Sequence, residues 1–118
     1  MDSTIGPAEP PVDISVFAAS DMRVGTIVEA SPFAGARRPA YVLQIDFGLL
    51  GILKSTAQIT ADHTAGELLG KKIVAVVNLP HKQVGRHTSR CLVLGAVHGS
   101  HVGLLSVPEN VPNGTRIR

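Results

Sequence analysis

The clearest periodicity in the chain runs through "AYVLQIDF", where Tyr41, Leu43, Ile45 and Phe47 fall on one face and Gln44 and Asp46 on the other. Alternation with a period of two is the pattern of a half-buried strand. "GILKSTA" follows across "GLLG" and reads as its hairpin partner, its hydrophobicity fading at Lys54 and Ser55 where the strand leaves the core. Upstream, "MRVGTIVEA" is a β-branched strand, and its interior Gly25 predicts a bulge or tight bend of the kind closed barrels use. Downstream, "KKIVAVVNLP" predicts a buried strand and "RCLVLGAV" a fifth, with "HKQVGRHTS" between them as a polar loop.

Two short helical stretches interrupt the strands. "DISVFAASD" offers Ser15 as a cap and a stop at Ser20 and Asp21. "TADHTAGELLG" offers Asp62 and Thr64 as caps, Glu67 in the first turn and Gly70 as a stop, so a short helix joins strand three to strand four. Three strands, a helix and two strands predict an all-β domain: the five-stranded Greek-key barrel called the OB-fold. "VGLLSVP" adds a strand beyond the barrel, and "ENVPNGTRIR" ends around a Pro-Asn-Gly turn. Residues 1–12 are expected to be a flexible leader and residues 13–118 the domain.

Composition supports one compact unit, with 118 residues, 44% hydrophobic and 17% charged. The leader lacks a basic start and an apolar core, so no secretory signal is expected. No apolar run approaches the roughly 20 residues of a spanning helix, so membrane insertion is not expected. The single cysteine, Cys91, lies in an apolar run and predicts a buried thiol in a reducing, cytoplasmic setting.

Charge is uneven although the net value is only +2. Residues 1–46 hold six acids against Arg23, Arg37 and Arg38, a balance of −3, and the remainder holds three acids and eight bases, a balance of +5. Between Leu68 and Pro108 there is no acid, while Lys71, Lys72, Lys82, Arg86, Arg90 and four histidines fall there. Such a surface draws polyanions.

In a barrel of this kind "KSTAQ" and "NLPHKQVGRHTSR" can line one groove. Lys54, Lys82, Arg86 and Arg90 can neutralise phosphates, Ser55 and Ser89 can donate to phosphate or ribose oxygens, and Gln58 and Asn78 can pair with base edges or 2′-hydroxyls. Each lone amide or hydroxyl can equally staple a loop to backbone. Three Phe, one Tyr and no Trp leave few rings for base stacking, and Phe33, beside Arg37 and Arg38, is the candidate exposed ring. Binding should then rest on shape and charge, which favours a structured RNA over an extended strand.

"HGSH" and "HKQVGRH" place His98, His101, His81 and His87 at suggestive spacings, but no cysteine partner or nearby carboxylate completes a metal site, and no cofactor is expected. Neither a phosphate loop nor a nucleophile elbow is present, so an enzyme is not expected.

Together "DMRVGTIVEA", "VLQIDFG", "KSTAQIT", "KIVAVVNLP", "LVLGA" and "VPNGTRI" resemble the tRNA-binding domain family, in its free-standing CsaA-type secretion-chaperone branch. The resemblance covers nearly everything after Val12. It implies an OB-fold, a tRNA-binding surface, a homodimer built through segments outside the barrel, and, as the alternative function, a chaperone for unfolded export precursors. Carried over by position, it assigns "STAQ" to residues 55–58, "NLP" to residues 78–80, and flanking basic positions to Lys54, Lys82 and Arg86. Arg90 stands where CsaA-type relatives usually carry an acid, which shifts this surface further toward a polyanion.

Overall fold

The computed structural model describes residues 6–118. Of the expected leader, residues 1–5 lie outside the described residues, and residues 6–12 form no regular element. The chain then forms α1 (Ile14–Ala19), β1 (Met22–Pro32), β2 (Tyr41–Asp46), a 3₁₀ turn (Gly48–Leu50), β3 (Ile52–Ala57), α2 (Ala65–Leu68) and β4 (Lys72–Val76). After it come β5 (Lys82–Val84), β6 (His87–Ser89), β7 (Leu92–Val93), β8 (Gly95–His98) and β9 (His101–Leu104).

Five strands pair in the order β3-β2-β1-β4-β7, all antiparallel. The long β1 serves two partners because residues 26–32 pair with β2 while residues 22–26 pair with β4. The sheet curls so that the Arg90 N–H donates to the Lys54 carbonyl at 2.8 Å, joining the start of the β7 segment to β3. The result is the expected all-β barrel, nearly closed, with its short helix between the third and fourth strands.

The first half of β1 has no β2 partner on one side, and the C-terminal segment fills that edge. Val24 donates to the Thr115 carbonyl at 2.9 Å, and Gly114 donates to the Val24 carbonyl at 2.7 Å. Asn113 fastens the same segment, its Oδ1 accepting from Thr26 Oγ1 and Lys72 Nζ, each at 2.8 Å. The core is formed by Ile27, Leu43, Ile45, Phe47, Leu68, Ile73 and Ala75, fully buried on the inward faces. Alternation predicted these faces correctly on β2.

Local expectations fare unevenly. The α1 cap is Asp13, whose carboxylate accepts from the Ser15 N–H, and not Ser15 itself. Thr64 and Glu67 form the reciprocal cap of α2, leaving Asp62 for another task. The bulge in β1 falls between Ile27 and Glu29 and not at Gly25. Gly25 is there for space: a Cβ would lie 2.6 Å from Ile45 Cγ2 and 2.7 Å from Phe47 Cε1. "HKQVGRHTS" is a hairpin, β5–β6, turning at Gly85 with φ +58°. The expected fifth strand divides, since only Leu92–Val93 joins the barrel sheet and Gly95–His98 pairs instead with β9.

Phe33 corrects a further expectation. It is buried with Ala40 and Val42 beneath the β1–β2 loop and is not an exposed ring. The exposed ring is Phe17, on α1. Among the described residues no helix is long and apolar enough to cross a membrane.

Candidate functional site

A groove of about 900 Å³ opens between the β1–β2 loop, the end of β3 and the β5–β6 hairpin. Arg37 and Arg38 come from the loop, Thr56 and Gln58 from β3 and its exit, Lys82 from β5, and Ser89 and Leu92 from the other side of the barrel seam. Its described lining contains no carboxylate. The apolar share comes from Phe33, Ala36, Ala40, Val84 and Leu92.

Phe33 acts as the keystone of this groove. The loop closes on itself through Phe33 N–H to the Ala40 carbonyl at 2.9 Å, which turns the ring under the hairpin. There it meets His87 edge to face, with centroids 4.8 Å apart and planes at 86°. Gly85 lies against the same ring, where a Cβ would be 3.1 Å from Phe33 Cζ, and its positive φ independently favours glycine. The hairpin is thus seated on the loop that carries Arg37 and Arg38.

The candidate residues separate into groups. Arg37, Arg38, Gln58, Lys82 and Ser89 line the groove together. Ser89 also ties the seam, its Oγ accepting from the Thr56 N–H at 3.2 Å. Lys54 and Arg86 flank His87 beside the groove, with Lys54 Nζ 3.2 Å from His87 Nδ1. Burial first, then the positive charges of Lys54 and Arg86, hold the His87 imidazole below its ordinary pKa.

Ser55 points inward, 1% exposed. It lies beside Cys91, whose thiol burial pushes up to about 11 despite the Ser55 hydroxyl, which favours the thiolate. Asn78 uses both ends of its amide elsewhere, with Nδ2 donating to the Ala19 carbonyl and Oδ1 accepting from the Asp21 N–H, each at 2.8 Å. Arg90 contributes its backbone to the seam, and its side chain is not in the groove lining.

His87, which spacing marks only as a candidate metal ligand, stands two residues before Ser89 on the same strand and packs against Phe33 beside the groove. The remaining histidines disperse: His98 and His101 stack at the tip of β8–β9 with centroids 5.3 Å apart, and His63 Nε2 meets the Val102 carbonyl at 2.9 Å. Among the described residues no cluster of three or more His, Cys, Asp or Glu side chains is placed to hold a metal ion.

Residues 22–116 match the family model described as "Putative tRNA binding domain". The chain belongs to this tRNA-binding domain family. Its CsaA-type resemblance also holds: the crystal structure of chaperone CsaA from Bacillus anthracis str. Ames superposes with TM-score 0.87 at 44% identity, covering 92% of this chain and 100% of that one. The MetRS related protein from Pyrococcus horikoshii gives TM-score 0.84 at 29% identity, covering 93% and 100%. Methionine--tRNA ligase of Leptospira biflexa is 38% identical over 85 residues, 72% of this chain. The Bacillus subtilis ligase is 30% identical over 109 residues, 92% of this chain. The chain spans only 12% and 16% of these two ligases.

Proposed function

We propose that this chain is a non-catalytic, cytoplasmic binder of tRNA or another structured RNA, working without a cofactor. The observation that carries the reading is the groove, whose walls bring Arg37, Arg38 and Lys82 together from separate segments with no carboxylate among its described lining residues. Three cations on two facing walls suit a phosphate backbone of defined curvature. Phe33 lines the groove but is only 9% exposed, with its ring packed against His87, which leaves little face for a base to stack on, so recognition rests on outline and charge. Gln58 supplies the polar group for a 2′-hydroxyl or base edge.

The test is RNA titration over a range of salt, comparing wild type with Lys82→Ala/Arg86→Ala. Each phosphate contact contributes about 0.7 to 0.9 to the slope of log affinity against log salt, so the double variant should bind more weakly and lose about 1.5 from the slope. Unchanged affinity and slope would refute the assignment.

Capture of unfolded export precursors is the second reading, favoured by the apolar strip of Val84, Leu92 and Ala36 within the same groove. Polypeptide capture by that strip would respond weakly to salt. We further propose a homodimer through α1 and the β8–β9 hairpin. None of the six α1 residues is buried, Ile14 is 76% exposed and Val97 on the hairpin 54%. Two such apolar patches on a small protein call for cover, and light scattering that reports only a 12.4 kDa species would refute pairing.

A further inference from the structure

We infer that Lys54 and His87 form a proton-coupled phosphate seat: a phosphodiester oxygen of the bound RNA settles against both nitrogens, and His87 takes up a proton from solvent as it arrives. The inference rests on the reading of the groove as an RNA-binding surface and adds a residue and a linkage to it.

The geometry fixes the unbound state. Lys54 Nζ and His87 Nδ1 are 3.2 Å apart. An ammonium has only donors, so Nδ1 must offer its lone pair, and the imidazole is neutral with its proton on Nε2. Phe33 holds the ring by its edge from the β1–β2 loop and carries no charge. The charged groups facing His87 are Lys54 from β3 and Arg86 from the hairpin turn, and both oppose an imidazolium. Protonating His87 would place a donor against a donor and a cation against two cations.

A phosphate reverses each of these terms. Its oxygen accepts from Lys54 Nζ and from a newly protonated Nδ1, and its single negative charge offsets the positive charge that the imidazolium adds beside Lys54 and Arg86. Apolar polypeptide would do neither. The seat therefore discriminates by phosphate chemistry, and it lies beside the groove that Arg37, Arg38 and Lys82 line.

Calorimetry of the full chain with folded tRNA, in two buffers of different ionisation enthalpy near pH 7, counts the protons taken up. Wild type should take up a fraction of a proton per site and bind about three- to tenfold more tightly near pH 6 than near pH 8. His87→Gln should abolish the uptake and flatten that profile. RNA binding with no proton uptake, or the same uptake in His87→Gln, overturns this inference and leaves the RNA reading intact. Absence of RNA binding at any pH overturns both, and uptake driven by an export-precursor peptide but not by RNA overturns the phosphate assignment. Should His87→Gln fail to fold, wild type still decides: NMR titration of the His87 ring with tripolyphosphate should raise its pKa, and an unmoved ring overturns the seat.

Discussion

Arg90 donates its backbone N–H to the carbonyl of Lys54 at 2.8 Å, and that bond lies at the seam where the barrel closes beside the groove. β7 is only two residues long, so few ladder bonds share the load there. Arg90→Pro removes the donor and should destabilise the barrel by about 1 to 3 kcal/mol. Arg90→Ala keeps the donor and should stay within about 0.5 kcal/mol of wild type. Urea melts of the two variants separate backbone from side chain, and equal losses would show that the seam does not depend on this bond.

Asn78 gives the opposite separation. Its amide spans the Ala19 carbonyl and the Asp21 N–H, fastening the exit of α1 to the end of β4. Asn78→Ala should lower the thermal midpoint, by about 1 kcal/mol of stability, because two exposed backbone groups exchange the amide for water. RNA affinity per folded molecule should hold. A variant that melts like wild type but binds RNA poorly would return Asn78 to the groove.

Gly25 tests the packing of the inward face. A Cβ there would meet Ile45 and Phe47 at 2.6 to 2.8 Å, and both neighbours are fully buried. Gly25→Ala should cost about 1 to 3 kcal/mol through overpacking, although alanine normally suits a strand better than glycine. Denaturant unfolding checks the sign, and a stabilised variant would contradict the close approach.

These contrasts show what the residues disclosed in advance. The barrel was legible because β2 alternates cleanly and because three strands, a helix and two strands admit few packings. The β5–β6 hairpin was not, since its partners Gln83 and Thr88 bond to each other on an exposed face and leave only Val84 to signal burial. Residue type alone marks Arg37, Arg38, Gln58, Lys82 and Ser89 as candidates, and their convergence on one groove depends on the loop closure at Phe33. Phe33 itself was misjudged because local sequence shows its basic neighbours, not the hairpin that folds over it. Asn78 and Ser55 are polar at motif positions, yet hydrogen-bond partners 57 and 59 residues away in one case and near-complete burial in the other are invisible to spacing.

Asp62, freed from capping α2, accepts from the Val102 N–H at 2.9 Å and contacts His101 Nδ1 at 2.7 Å, so it ties the segment before α2 to the β8–β9 hairpin. The bond to His101, then the Val102 N–H, hold its carboxyl below the usual aspartate value. A carboxylate with a depressed folded pKa binds fewer protons folded than unfolded, so its contribution is present above the unfolded value of about 3.9 and is lost as pH falls through the folded one. Asp62→Asn should therefore lower the thermal midpoint near neutral pH, and the gap from wild type should close toward about pH 3. Asp21, likewise held low by Arg23, remains in both proteins and cancels in the comparison. A gap that is constant from neutral to acid pH would mean that packing of the hairpin, and not the charge on Asp62, holds it in place.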